Sequence, residues 1–232
     1  MAGQLKQLES EFSVRPLASP VADLRFRNLL SKEDWEALPF TTRQRFSKRL
    51  SGGKAIVYVG EVVETRISPV GWLFAQLARL IGGPLPLFTD TPSPSVVTVT
   101  EDVARGGQIW TRLYARRSGF PQIIQSAKLF QGPTGLEECV GRGIGMALQT
   151  RQVDGALQFR SEHYFFRLRR LRVTIPGWMT PGAITVTHRE NGDRRFIFTL
   201  EIVHPLFGQV LRQRAIFRDE NAPARLCEDR PV

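Results

Sequence analysis

The chain has 232 residues, of which 42% are apolar and 23% charged, with a formal net charge of +10. This balance excludes a disordered chain, and the length suits one large strand-rich domain whose core needs no disulfide or metal staple. The charge favours contact with phosphates, acidic partners or anionic lipid surfaces, although an arginine-rich genome would produce it equally.

Residues 1–30 mix Ser, Pro and charges without a sustained period and read as a loosely ordered arm. They lack the continuous apolar run of a signal peptide, and no stretch approaches the roughly 20 apolar residues that span a bilayer, so a cytoplasmic location is the expectation. Residues 31–220 read as a single domain and 221–232 as a tail. Ser31 followed by Asp34 fits a capping-box start, predicting a short helix from Lys32 to Leu38 that Pro39 ends. Thr41 or Thr42 then caps a second helix over Arg43–Leu50, carrying Arg43, Arg45, Lys48 and Arg49 and stopping at Ser51-Gly52-Gly53. Ala55–Arg66 is rich in β-branched residues and reads as a strand, with Gly60 as a bulge.

The clearest helix signal follows. Ser68 is an N-cap, Pro69 sits at the first helical position, and Gly82-Gly83 closes the end. Val70, Leu73, Phe74, Leu77, Leu80 and Ile81 form an apolar stripe that is expected to pack on a sheet.

Beyond the breaks at Pro84-Leu85-Pro86 and Thr91-Pro92-Ser93-Pro94, strand-like runs recur. They are Val96–Thr100, Gln108–Arg116, Ile123–Phe130, Ile144–Gln149, Leu157–Phe166, Ile184–His188, Arg195–Val203 and Val210–Phe217. The expected fold class is α+β. A strongly curved antiparallel sheet of about seven to nine strands packs against one long amphipathic helix, with short N-terminal helices. One hairpin admits two registers. A two-residue Asn191-Gly192 turn pairs Val186 with Ile197. A three-residue loop, Glu190 to Gly192, pairs Val186 with Phe196 and Ile184 with Phe198, and collects the apolar side chains on one face.

Chemistry-bearing residues are sparse. Cys139 and Cys227 lie far apart and outside any C-x-x-C pattern, so free thiols are expected rather than zinc ligation. His163, His188 and His204 each extend an apolar alternation and read as satisfied, half-buried histidines, with no shared metal site. Gly141-Arg142-Gly143-Ile144-Gly145 lacks the third glycine of a dinucleotide fingerprint and reads as a bent strand. Trp110, Arg112, Tyr114 and Arg116 share one strand face, with Glu137 and Glu138 as possible ion partners. That face is either solvated or an arginine flanked by aromatics that receives an anionic ligand head. Arg167, Arg169, Arg170 and Arg172 form a basic cluster, but no recognition motif with stacking aromatics follows it, and nucleic acid is disfavoured.

The order LPFTTRQRFSKRL, YVGEV, GGPLPLF, GGQIWTRLY, GLEECVG, PGWMTPG and HPLFGQVL resembles the bacterial family catalogued as domain of unknown function 4166, over about residues 35–218. Its positions fall at Leu38, Pro39, Gly60, Leu85, Pro86, Trp110, Arg112, Glu138, Gly141, Pro205 and Gly208. The late motif ends here in Leu211-Arg212-Gln213-Arg214, where the resemblance would lead one to expect Tyr-Gly. The resemblance implies a module found alone or attached to dehydrogenase-like domains, and implies no activity.

The functional expectation is a domain that binds a hydrophobic or amphipathic small molecule between sheet and helix. Its pocket would draw on Trp110, Arg112, Tyr114, Glu138, Phe159, Ser161, His163, Phe196 and Phe198. No nucleophile–base pair is visible, so the sequence leans against an enzyme without deciding the question, and no cofactor or metal is expected. The alternative is a non-catalytic accessory module. It would act with a partner oxidoreductase, as the resemblance implies, or at an anionic membrane surface touched by the basic helix Arg43–Leu50.

Overall fold

The computed structural model describes residues 22–50, 52–83, 85–169 and 171–219. Cys227, Arg170, most of the N-terminal arm and the whole C-terminal tail lie outside them.

Among the described residues eleven antiparallel strands run β1 Ala55–Ile67, β2 Ser93–Asp102, β3 Gly107–Tyr114, β4 Gln122–Leu129, β5 Glu137–Gly141, β6 Ile144–Val153, β7 Ala156–Leu168, β8 Leu171–Ile175, β9 Ala183–Glu190, β10 Arg195–His204 and β11 Gly208–Asp219. Their hydrogen-bonded order is β6-β5-β4-β3-β2-β1-β11-β10-β9-β7, and β7 pairs back onto β6 along its length. Ten strands therefore close into a barrel, and β8 extends β7 as an outer hairpin.

This corrects the expected open sheet packed on one long helix. Alternation reports which side chains face inward, but closure depends on the β6–β7 pairing, which alternation does not encode. Two strands were also missed. β5 begins Glu137-Glu138, two charges that mask its period, and β8 is five residues long. The β9–β10 hairpin keeps the predicted face but not the predicted register. Phe198 pairs with His188 and Leu200 with Val186, because the turn spans Asn191 to Arg194.

Among the described residues three α-helices accompany the barrel: α1 Lys32–Glu36, α2 Phe40–Phe46 and α3 Pro69–Leu80. The Ser31 and Ser68 side chains cap α1 and α3 as their positions predict. The second helix starts three residues early, at Phe40, because Pro39 serves as its N-cap.

One end of the barrel is plugged by residues 22–50. Phe26, Trp35, Leu38, Phe46 and Leu50 are buried there, with Phe26 in edge contact with Phe46, Phe130 and Phe159. Two ion pairs tie this plug to strand ends, Arg45 to Glu190 at 3.1 Å and Lys48 to Asp219 at 2.5 Å. Arg45 also lies over the Phe196 ring, so this helix turns one of its basic residues into the core.

Helix α3 spans the other end. It starts against β11, where the Ser68 amide donates to the Val210 carbonyl and Gly71 abuts the same group. It finishes against β5, with Ile81 and Gly82 beside Gly141 and Gly83 beside Val140. In barrel order β11 and β5 are nearly opposite, and twelve helical residues cover about 18 Å. The buried face is not the predicted stripe. Gly71, Ala75 and Ala78 are buried, whereas Leu73, Leu77 and Leu80 are exposed. Small residues let the helix approach the strand backbone, and that closeness outweighs the larger apolar side chains on its other face.

Candidate functional site

Strand β3 alternates strictly. Gln108, Trp110, Arg112 and Tyr114 point into the barrel, while Ile109, Thr111 and Leu113 line its outside. Its neighbour β4 directs Ile124, Ser126 and Lys128 inward, and Lys128 stands directly opposite Glu138 of β5. The barrel wall thus brings two cations, one carboxylate and a hydroxyl together in its interior.

Glu138 is the hub. Its carboxylate accepts from Lys128 Nζ at 2.6 Å and from Ser126 Oγ at 2.6 Å. Arg112 is held more loosely, with Nη1 3.3 Å from Ser126 Oγ and Nη2 3.9 Å from Glu138 Oε1. The Trp110 ring lies 5.4 Å from Lys128 Nζ and 5.9 Å from the Arg112 guanidinium carbon. Burial alone would raise the Glu138 pKa, but the charges of Lys128 and Arg112 and the hydrogen bonds from Lys128 and Ser126 outweigh it and hold it down to about 2. Burial, with Arg112 nearby, lowers the Lys128 pKa against the opposing pull of Glu138. The cluster carries one more positive than negative charge.

Above this cluster, on the α3 side, lies a cavity of about 70 Å³. Arg112, Ser126, Glu138 and Tyr114 supply its polar wall, and Met146, Ile184, Phe198 and Leu200 are among its apolar lining. Gly83, Leu85 and Pro86, which follow α3, form its roof. Gln122 pins that roof by donating to the Leu85 carbonyl and accepting from the Leu87 amide. Arg112, Tyr114 and Phe198 also border a smaller void of about 10 Å³ below, beside His188, Gln213 and Tyr58.

His188 is 4% exposed, stacked on Phe196 and edge-on to Phe46, Phe159 and Phe198. Burial, then the charges of Arg45, Lys128 and Arg112, push its pKa well below the usual value, so it is neutral. Its Nδ1 has no hydrogen-bond partner, nor has Gln213 Oε1. Sequence periodicity marks His188 as half-buried and satisfied, and the structure corrects both points.

Of the nine residues assigned to the pocket, Arg112, Tyr114, Glu138 and Phe198 border the cavity, and Trp110 adjoins its charged wall. Phe159 and Phe196 pack deeper, around His188. Ser161 accepts from the Ile184 amide at 2.9 Å and closes the seam where β7 parts from β9. His163 lies outside the barrel. A bulge at Glu162 puts Ser161 opposite Leu148 and His163 opposite Ala147, on opposite faces. Its ring lies 3.5 Å from Arg172 and 3.7 Å from Glu162. Lys128, Ser126 and Gln213 were not singled out from sequence. The available signal was Lys128, one of five lysines in an arginine-rich chain, in step with Ser126 and Ile124. Among the described residues no cluster of histidine, cysteine and acidic side chains is fit to hold a metal.

These titrations predict an acid-sensitive fold. The depressed His188 pKa means that the unfolded chain takes up a proton the native state refuses, so stability starts to fall as pH drops below about 6.5. Glu138 contributes stability that is complete above its unfolded pKa of about 4.3 and is lost as pH falls towards 2. Melting temperature against pH is expected to show both slopes, and His188→Phe should flatten the one between about pH 6.5 and 5. A wild-type melting temperature that stays flat down to about pH 5 would contradict the buried neutral histidine.

Searches of the curated proteins and of the solved structures each returned no match. The family model described as domain of unknown function (DUF4166) matches residues 38–217, from the approach to α2 almost to the end of β11. Trp110, Arg112, Lys128 and Glu138 all fall within that span, and it covers most of the chain, which therefore belongs to the DUF4166 family.

Proposed function

We propose that the barrel binds an amphipathic small molecule with an anionic head, taking the head at Arg112 and the apolar part along Met146, Ile184, Phe198 and Leu200. The observation that carries this reading is the surplus cation. Arg112 and Lys128 face a single carboxylate, and Lys128 holds it at 2.6 Å while Arg112 lies 3.9 Å away. A guanidinium kept from water without a close counter-ion is costly, and an incoming carboxylate or phosphate would complete it with a forked pair of hydrogen bonds.

The cavity as it stands is small. Ligand pockets commonly run to about 300–1,000 Å³, so occupancy requires the roof after α3 to move. The roof is a short irregular segment held by backbone contacts at glycines, by Gln122 and by the packing of Leu85 and Pro86. That is the kind of element that opens at low cost.

Native mass spectrometry of freshly purified protein, followed by extraction, tests the reading directly. A retained acidic lipid or similar amphiphile is the expected result. In titrations with a fluorescent fatty acid, Arg112→Met is expected to weaken binding by about tenfold to a hundredfold, the worth of a charge-assisted hydrogen bond. Affinity for the matching fatty alcohol should barely change. Equal losses for both probes, or no binding of either, would remove the proposal.

A further inference from the structure

The end of the barrel that α3 spans is apolar on its outer surface. Leu73 and Leu77 of α3 are exposed, as are Trp178 and Met179 in the 3-10 turn before β9, and Leu206 and Phe207 in the β10–β11 turn. Leu206 is 72% exposed and Trp178 64%. These segments meet at His204. Its ring stacks on Phe74 of α3 and on Phe207, and its Nε2 lies 3.3 Å from the Trp178 carbonyl. The patch is therefore one continuous surface rather than scattered side chains, and surfaces of this kind mark sites of contact.

Charge identifies the occupant. Glu64, Glu137 and Glu201, on strands that lead to this end, are each engaged by arginines. Arg79 on α3, Arg142 in the β5–β6 turn and Arg169 in the β7–β8 turn are exposed. The β5–β6 turn touches the end of α3, and the Arg167 amide donates to the Gly143 carbonyl, so both turns belong to the same rim.

We infer that this end docks on an anionic lipid bilayer. Turn tips carrying Trp, Leu and Phe would enter the headgroup boundary while the arginines meet lipid phosphates. Among the described residues no helix is long and apolar enough to cross a membrane, so the association is peripheral. A second copy fits less well. A two-fold interface on this patch would bring a second set of the same rim arginines to the contact and supply no anionic groups to meet them. The inference goes beyond the ligand proposal and stands without it, since an empty barrel presents the same surface.

Vesicle flotation tests it, using phosphatidylcholine alone and a phosphatidylcholine–phosphatidylglycerol mixture. The wild-type protein is expected to float with the mixture, to lose binding in high salt, and to float poorly with phosphatidylcholine alone. Tryptophan emission should shift to the blue on binding, because Trp72 and Trp178 are exposed whereas Trp35 and Trp110 are buried. The pair Leu206→Ser with Phe207→Ser is expected to lower binding about tenfold or more, and Arg79→Gln about fivefold. Trp178→Ser, from a different segment, guards against a local fault in the first pair, and unchanged melting temperatures confirm that these exposed substitutions leave the fold intact. The inference is overturned by absence of flotation with the mixture, or by equal flotation with both vesicles. It is equally overturned if the protein is a dimer that the Leu206/Phe207 pair dissociates, or if only an acidic protein, and no vesicle, engages the patch.

Discussion

Glu138→Gln is expected to destabilise the protein by about 3–5 kcal/mol, the usual cost of removing one member of a buried ion pair. The size follows from what is left behind. Lys128 is 3% exposed and holds the carboxylate at 2.6 Å, while Arg112 has only Ser126 as a further close partner. The amide keeps the shape and one acceptor but cancels the negative charge, so two cations face each other across a dry wall. The depressed pKa of Glu138 has the same cause, since Lys128, Arg112 and the Ser126 hydroxyl favour the ionised form strongly enough to overcome the cost of burial. Adding Lys128→Met should recover much of the loss, because the double variant again carries one buried net positive charge. Urea unfolding of the wild type, both single variants and the double variant completes the cycle. A Glu138→Gln loss below about 1 kcal/mol would mean that water reaches the cluster freely and that the surplus cation behind the ligand proposal is solvated.

Much of this wall was legible in the sequence. The alternation through Gln108-Ile109-Trp110-Thr111-Arg112-Leu113-Tyr114 assigns the two faces of β3 without ambiguity. It does not say which face is inside, because an inward Arg112 requires a partner from another strand. Glu138 is a candidate beside Glu137, but its strand β5 opens on a pair of glutamates that hides its period, so the sequence does not show that Lys128 holds Glu138 closely and leaves Arg112 3.9 Å away. Glu137 faces outward to Arg167 and Arg172, Glu138 inward to Lys128, so adjacent identical residues do opposite work on opposite faces. His163 fails for a different reason. It continues the Leu157, Phe159, Ser161 series on paper, but one extra residue at Glu162 reverses every later side chain. The helix stripe fails because large apolar residues dominate a periodicity reading, whereas contact with a strand backbone selects Gly71, Ala75 and Ala78.

That small-residue face carries the last prediction, which compares two glycines. A Cβ at Gly71 would overlap the Val210 carbonyl oxygen, and a Cβ at Gly60 would overlap the Ile216 carbonyl and the Phe217 backbone. Both obstacles are main chain, so neither yields by a rotamer change. Their consequences differ because of what each residue belongs to. Gly60 lies within β1, paired with Phe217 of β11, and relief there must break the ladder of the barrel wall. Gly60→Ala is expected to cost at least about 3 kcal/mol, at the upper end of overpacking. Gly71 lies on α3, which contacts the wall at few points and can lift as a body. Gly71→Ala is therefore expected to cost about 1–3 kcal/mol, and to spend it on undocking the helix rather than unfolding the barrel. Amide hydrogen exchange should rise about tenfold or more across α3 and the roof segment from Leu85 to Phe88, with β3, β4 and β10 unchanged. The same variant should load and release a fluorescent fatty acid faster if the roof is the entry. Unchanged exchange in α3, or exchange that rises uniformly over the barrel, would show that the helix and the wall open together and that α3 is no lid.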